Sequence, residues 1–279
     1  MSERATVGAS DASSAPGAGR GRGLLPRIPE PVVAGVVILA VWEGLLALVQ
    51  PEGFVLPAPS SIVGALFTNA GTIWTATRIT GWVIVSGLVA GVIFAVCAAL
   101  LVSRFRLARE AITPVAVAVN AIPIIALAPI FNNWFGLTSV RSNQLIVVLL
   151  VSFPVFINTV KGLSLADAAQ IELMESYAAS KWRITREVRV PTALPLFFTS
   201  LKLASSLAVI GAIVAEYFGG RQDALGPMIT QAAGLTRYDE AWAAVLAGTL
   251  VGAALYALAV LAERRLMPWH ATVRSGGES

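Results

Sequence analysis

The sequence predicts an all-α, polytopic membrane protein of about six spans, and three observations predict it. Hydrophobic residues make up 56% of the chain and charged residues 13%, against about 25% charged in an ordinary soluble domain. Mean hydropathy is +0.76, which leaves too few charges to coat a water-facing surface. Apolar runs of membrane-crossing length recur, and Arg and Lys collect on alternate connections between them.

A helix rises about 1.5 Å per residue, so about 20 apolar residues cross a bilayer core. Residues 1–30 are rich in Ser, Ala, Gly and Arg, with Pro16, Pro26 and Pro29. They hold no apolar stretch of signal-peptide length and are expected to form a disordered cytoplasmic tail. A transmembrane domain is expected over 31–269 and a second cytoplasmic tail over 270–279. Val32–Val49 is the first span, interrupted by Glu43. Pro57–Phe67 reads as a short helix outside the membrane, opened by Pro57 and Pro59. Gly81–Val102 is the second span. Ala111–Ile130 is the third, broken by Pro114, Pro123 and Pro129. Leu145–Leu163, with Pro154 inside, is the fourth, Leu194–Phe218 the fifth and Trp242–Leu261 the sixth. Gly87 and Gly91, like Gly248 and Gly252, stand four apart, which suits close helix packing. Trp74, Trp82, Trp134, Trp242 and Trp269 suit span ends at the membrane–water interface.

Charge placement orients the spans. Arg4, Arg20, Arg22 and Arg27 precede the first span. Arg104, Arg106 and Arg109 follow the second, Lys161 stands at the end of the fourth, and Lys181, Arg183, Arg186 and Arg189 follow it. Arg264, Arg265 and Arg274 follow the sixth, whereas the opposite connections hold Arg141, Arg221 and Arg237. Cytoplasmic loops carry the excess of Lys and Arg, so both termini are expected in the cytoplasm. The same placement accounts for the net charge of +4 and the pI near 9.6 with a lipid bilayer, and not nucleic acid, as the partner. Cys97 is the sole cysteine, so no internal disulfide forms, and His270 is the sole histidine, which argues against histidine metal clusters and Ser-His-Asp triads. The glycines of 17–23 follow no strand and miss the dinucleotide-binding spacing.

Polar residues at membrane depth are costly and mark candidate pathways. Asn120, Asn158 and Glu216 lie within predicted spans, and Asn132, Asn133 and Trp134 lie where the broken third span emerges. Irregular backbone around Pro123 and Pro129 is tolerated where it is buried in protein or lines a watery cavity. These residues place a substrate pathway between the third, fourth and fifth spans. The competing reading is structural: an Asn also joins spans by hydrogen bonding, and Glu216 also suits the outer interface beside Tyr217. Glu43 reads as a packing or interfacial group, and Lys202 as a side chain snorkelling to the cytoplasmic face.

The longest polar connection, 164–191, is cytoplasmic by the charge rule and helix-like in composition. It is either a plain hairpin joining two spans or a docking surface. Tyr177 and Trp182 favour docking, because aromatics beside small residues suit interface anchors. The segment reads Glu172-Leu173-Met174-Glu175-Ser176-Tyr177, then Ala178-Ala179-Ser180, then Val188-Arg189-Val190-Pro191. It resembles the EAA loop of ABC-importer permeases: E-A-A, three residues, Gly, nine residues, an aliphatic residue, one residue, Leu-Pro. Glu172, Val188 and Pro191 fall in register, while Leu173-Met174 replace the Ala pair, Ala178 the Gly and Val190 the Leu. Ala resists the positive φ that Gly permits. Either the turn at Ala178 stays in ordinary helical space or a partner approaches less closely.

Pro123 to Pro129, Trp134-Phe135-Gly136, Phe153-Pro154 with Asn158-Thr159, Ala193-Leu194-Pro195, Ala215-Glu216 and Glu263 to Trp269 are similar to the nitrate/taurine/aliphatic-sulphonate branch of these permeases. The resemblance runs from about Trp42 to Trp269 and implies a type I ABC importer permease fold. It implies a homodimer, cytoplasmic ATPase subunits carrying ATP and Mg, and an extracytoplasmic solute-binding protein. It also implies that 164–191 is the ATPase-coupling loop, with Glu172, Glu175, Ser176, Tyr177, Ala178, Ala179, Ser180 and Pro191 at the contact. No cofactor is expected on this chain, and no G-x-x-x-x-G-K-[ST] phosphate loop occurs in it. The expectation is therefore a permease, not an enzyme, in the inner membrane. An ion-coupled secondary transporter is the first rival, although only one strong candidate acid, Glu216, and no convincing internal repeat are there to serve it. A membrane enzyme is the second, and the acids here do not cluster. For the solute, nitrate, sulphonates and taurine stand beside pyrimidine- or riboflavin-type vitamin precursors.

Overall fold

The computed structural model describes residues 30–49, 56–105, 111, 118 and 122–268. The described helices are α1 (Glu30–Val49), α2 (Pro59–Thr68), α3 (Ala70–Val102), α4 (Ala128–Phe135), α5 (Val140–Ser164), α6 (Ala168–Ser176), α7 (Lys181–Ile184), α8 (Val190–Phe218), α9 (Leu225–Gly234) and α10 (Tyr238–Leu266). A 3₁₀ turn, Ile124–Leu127, leads into α4, and a π-turn, Thr185–Arg189, joins α7 to α8. The chain divides into two compact units, one ending at Val41 and the other beginning at Trp42. In the first, the described part of α1 is apolar, with Val32, Val36 and Ile38 exposed. The second unit holds α2 to α10.

Among the described residues, four helical stretches are long and apolar enough to cross a membrane: Ala70–Val102, Val140–Ser164, Lys181–Phe218 and Tyr238–Leu266. Each extends beyond the apolar run that predicts it. α3 begins before Gly81 because Thr75, Thr77 and Ile73 continue the helix, with the Thr75 and Thr77 hydroxyls bonded back to Gly71 and Ile73 carbonyls. α5 begins before Leu145 because Ser139 caps it, its hydroxyl accepting from the Arg141 amide at 3.2 Å. The predicted third span falls largely outside the described residues, Pro114 and Asn120 included. Its described end is broken as its prolines require. Pro123 precedes the 3₁₀ turn and Pro129 sits in the first turn of α4, where a missing N–H costs nothing. Trp269, His270 and both predicted tails, apart from Glu30, also lie outside the described residues.

α3, α5 and α8 share the main core. Val83, Ile84 and Leu88 of α3 meet Val147, Val151 and Val155 of α5 and Ala204, Ala208 and Ala212 of α8. Branched side chains on two helices fill the space left by alanines on the third. In a bilayer this dispersion-rich packing, and not removal from water, holds helices together. The four-residue glycine pairs serve it. A Cβ on Gly87 would lie 2.7 Å from Val147 Cβ, and one on Gly248 would lie 2.8 Å from Ile213 Cδ1. A second core joins α2, α3, α9 and α10 through Ile62, Ala65, Ile73, Ala76, Leu225, Ala243, Ala244 and Ala247.

Two charged residues find partners that the sequence did not reveal. Lys202 is not a free snorkelling side chain: its Nζ lies 2.9 Å from Glu263 Oε2, tying α8 to α10 in a mostly buried pair. Glu43 caps α2, its carboxylate accepting from the Ser60 hydroxyl at 2.6 Å and the Ser60 amide at 3.1 Å.

Candidate functional site

α5 and α8 run side by side, and the connection 165–189 caps one end of the pair. The Asp167 carboxylate accepts from the Ala169 amide at 3.0 Å and starts α6. α6 buries none of its residues. It ends in a Schellman turn, the Ala178 amide donating to Glu175 C=O at 2.9 Å and the Ala179 amide to Met174 C=O at 3.0 Å. Such a turn demands a left-handed residue, and Ala178 supplies it at φ +53°. This removes one of the two alternatives read from the sequence. The turn leaves ordinary helical space, and Ala bears a strain of about 1–2 kcal/mol that Gly would not. Ser180 then caps α7 by accepting from the Arg183 amide at 3.3 Å.

Glu172, Glu175, Ser176, Tyr177, Ala178 and Ser180 are all exposed, and Ala179 is half-buried. Leu173 is 57% exposed, Tyr177 78% and Trp182 62%, so the turn displays aliphatic and aromatic surface with small residues between. Pro191 lies in the first turn of α8. It has no N–H for the Glu187 carbonyl four residues back. The helix widens just before it, the Val190 amide reaching five residues back to Thr185 C=O. Ile184 and Val188 are buried beneath the segment. At this end Gly162 lets α5 press on α8, since a Cβ there would lie 2.8 Å from Ala193 Cα.

The far end of the same helix pair holds a buried polar cluster. Glu216, only 3% exposed, accepts through Oε2 from the Thr80 hydroxyl at 3.0 Å and the Gly226 amide at 2.9 Å. Thr80 Oγ1 in turn accepts from the Leu225 amide at 2.9 Å. The N-terminus of α9, whose own N-cap Ala224 offers no side-chain bond, is thus capped from α3 and α8. Beside it, Asn132 Nδ2 donates to Phe218 C=O and Asn143 Nδ2 to Gly219 C=O, each at 3.1 Å. Asn132 Oδ1, Asn143 Oδ1 and Glu216 Oε1 are buried without a hydrogen-bond partner.

The predicted pathway residues do not form one cluster. Asn132 is buried in the clasp just described, while Asn133 and Trp134 are exposed, the Trp134 ring centred 5.5 Å from that of Phe131. Pro129, Ile130, Asn132, Asn133, Gly136 and Leu137 line an open groove of about 730 Å³. Glu216 does not line it. Asn158 lies fifteen residues along α5 from Asn143, roughly 22 Å away, and donates to its own helix at Pro154 C=O, 2.8 Å. Asn120 lies outside the described residues. Thr80, Asn143 and the Gly219-Gly220 turn escaped the sequence reading. Asn143 precedes the apolar run that defines its span, and only the adjacent glycines Gly219 and Gly220 hinted at a tight approach.

A second groove, about 480 Å³, runs along Thr138 to Arg141 and Arg221 to Asp223. Arg221 grips Asp223 with two bonds of 2.9 and 2.6 Å. The hydrogen bond from Arg221 holds the Asp223 carboxyl below the usual aspartate range.

Residues 87–269 match the family described as the binding-protein-dependent transport system inner membrane component. The chain is 33% identical over 245 residues to the formylaminopyrimidine transport permease protein ThiX of Halalkalibacterium halodurans, covering 86% of this chain and 95% of that one. It is 31% identical over 239 residues to the riboflavin transport system permease protein RibX of Chloroflexus aurantiacus, covering 85% and 88%. It is 26% identical over 249 residues to the taurine transport system permease protein TauC of Escherichia coli, covering 85% and 88%. The chain belongs to the family of inner-membrane components of binding-protein-dependent transport systems, as a multi-pass permease subunit of an ABC importer for a small solute.

Proposed function

We propose that this permease is driven through its α6–α7 turn by a separate cytoplasmic ATPase and carries a nitrogen heterocycle of the vitamin-precursor class. The observation that carries the docking half is that α6 buries none of its residues, with Leu173, Tyr177 and Trp182 exposed around a strained Ala178 turn. The loop over 164–191 is joined to both α5 and α8, so a push on it moves both. Glu172, Glu175, Ser176, Tyr177, Ala178, Ala179, Ser180 and Pro191 form the coupling contact, and ATP and Mg stay on the partner, since the sequence holds no phosphate loop of its own. The charge asymmetry supports a cytoplasmic loop and cytoplasmic termini. The tails over 1–30 and 270–279 then flank a permease domain over 31–269. A homodimer of this chain works with two ATPase subunits and an extracytoplasmic solute-binding protein.

The heterocycle is supported by the groove and by the relatives. The exposed Asn133 borders the groove next to Trp134 in the chain, and among the described residues no charged side chain lines it. The relatives at 33% and 31% identity are named for formylaminopyrimidine and riboflavin, and the one at 26% for taurine. Nitrate and sulphonates are the alternative cargo.

The test reconstitutes the complex in vesicles with its ATPase and binding protein. Ala178→Asp is expected to insert normally, to lose ATP-driven uptake and to leave the ATPase running uncoupled. Equal uptake by the variant and the wild type would remove the α6–α7 turn from the mechanism. Competition by a pyrimidine, and not by taurine, decides the cargo.

A further inference from the structure

We infer that Asn143 is a positioning residue that clasps α5 to the Gly219-Gly220 turn, so that α5 and α8 carry the push from the α6–α7 turn to the far groove as one rigid lever. The inference rests on the proposed docking of the ATPase at that turn.

Three observations carry it. First, the two helices touch closely at two levels. Near the α6–α7 end a Cβ on Gly162 would lie 2.8 Å from Ala193 Cα, and at mid-length one on Gly211 would lie 2.5 Å from Leu150 Cδ1. Second, the far end is closed by hydrogen bonds where packing gives out. The amides of Asn132 and Asn143 take the carbonyls of two consecutive residues, Phe218 and Gly219, at 3.1 Å each. Both side chains are 2% exposed, and a carbonyl partner dictates that each presents its NH₂. Third, the turn is shaped around these amides. A Cβ on Gly219 would lie 2.4 Å from Asn132 Nδ2 and one on Gly220 would lie 2.7 Å from Asn143 Nδ2, and Gly220 has φ +147°. A larger residue could not occupy either position with the clasp intact.

The consequence is mechanical. α8 ends at Phe218 and α5 begins at Val140, so the clasp is the last link before the segments that line the two grooves. With it, displacement of the α6–α7 turn moves the groove lined by Ile130 and Asn133. Without it, α8 slides against α5 and the push is spent in the helix pair.

The test uses the full complex in vesicles and reads solute taken up per ATP hydrolysed. The near-isosteric Asn143→Leu and the shorter Asn143→Ala both lack the donor. Each is expected to lower uptake per ATP about tenfold, the scale of one buried hydrogen bond, while ATP hydrolysis continues. Arg141 and Gln222, exposed on one groove, are then replaced by Cys in a Cys97→Ser background and bridged with a short bis-thiosulfonate. The bridge is expected to leave transport by the otherwise unaltered chain intact and to restore coupling to Asn143→Leu. Full coupling in Asn143→Leu overturns the inference, and so does arrest of transport by the bridge, which would mean that the two ends must part. Loss of ATPase docking appears instead as loss of regulated hydrolysis in Ala178→Asp, so failure of the lever and failure of the docking reading are told apart.

Discussion

The Glu216 carboxylate and the Gly226 amide, ten positions apart on different helices, meet at 2.9 Å. The bond makes a residue of a membrane span the N-terminal cap of the short helix that follows it. A Cβ on Gly226 would lie 2.5 Å from Glu216 Cβ, so the approach needs glycine. Glu43 caps α2 in the same way through Ser60. Each carboxylate thus meets orphan amides that water would otherwise satisfy.

Removing the carboxylate from this cap leaves the Gly226 amide and the Thr80 hydroxyl without an acceptor inside a buried site. Glu216→Ala is expected to cost about 2–3 kcal/mol. Glu216→Gln retains one acceptor oxygen for both donors and should cost less. Thermal unfolding in detergent of these variants, alone and with Thr80→Val, checks it. The double variant should fall short of the summed effects, since both residues serve one network. Additive losses would show two independent contacts.

Four of the spans were legible because apolar runs have a length dictated by the bilayer, and the α6–α7 connection because its charge and turn residues stand out from them. Partner identity was not legible. Lys202 stands 61 positions from Glu263 and Thr80 stands 136 from Glu216, and no local pattern reports such pairings. Asn143 was hidden for a related reason, since a polar residue at the start of a span looks the same whether it faces water or a neighbouring carbonyl. The strain at Ala178 was half legible. The missing glycine was visible in the sequence, but not whether the backbone still adopts the left-handed turn.

Ala178→Gly tests that strain directly. Glycine occupies φ +53° without the Cβ penalty, so the variant should be stabilised locally by about 1 kcal/mol. Ala178→Val should be destabilised, as a β-branched residue tolerates that region least. Hydrogen exchange at the Ala178 and Ala179 amides, whose bonds close the turn, is the measurement. Slower exchange in the Gly variant is the expected result, and unchanged exchange would locate the weak point elsewhere.

The Arg221–Asp223 pair predicts a pH response. The folded-state pKa of Asp223 is depressed by its hydrogen bond from Arg221. The pair's contribution is therefore present above the unfolded aspartate value and is lost as pH falls through the lower folded value. From neutral to mildly acidic pH the link should hold. Both side chains are about half exposed, so salt will weaken it. Two-dimensional NMR of a selectively labelled Asp223 across pH 2 to 6 at two salt concentrations would detect a midpoint below the normal aspartate range, and a midpoint at or above that range would contradict the pairing.

The Lys202–Glu263 pair offers the sharpest contrast between one and two substitutions. The side chains are 22% and 13% exposed and 2.9 Å apart, between α8 and α10. Lys202→Met alone strands a carboxylate in a poorly solvated gap and is expected to cost about 3 kcal/mol. Lys202→Met with Glu263→Met removes both charges and fills the gap with flexible apolar chains, so most of that loss should be recovered. Unfolding of the purified permease in detergent decides it. If the double variant is no more stable than the single one, the pair does more than neutralise itself, and its hydrogen bond sets the register of α10 on α8.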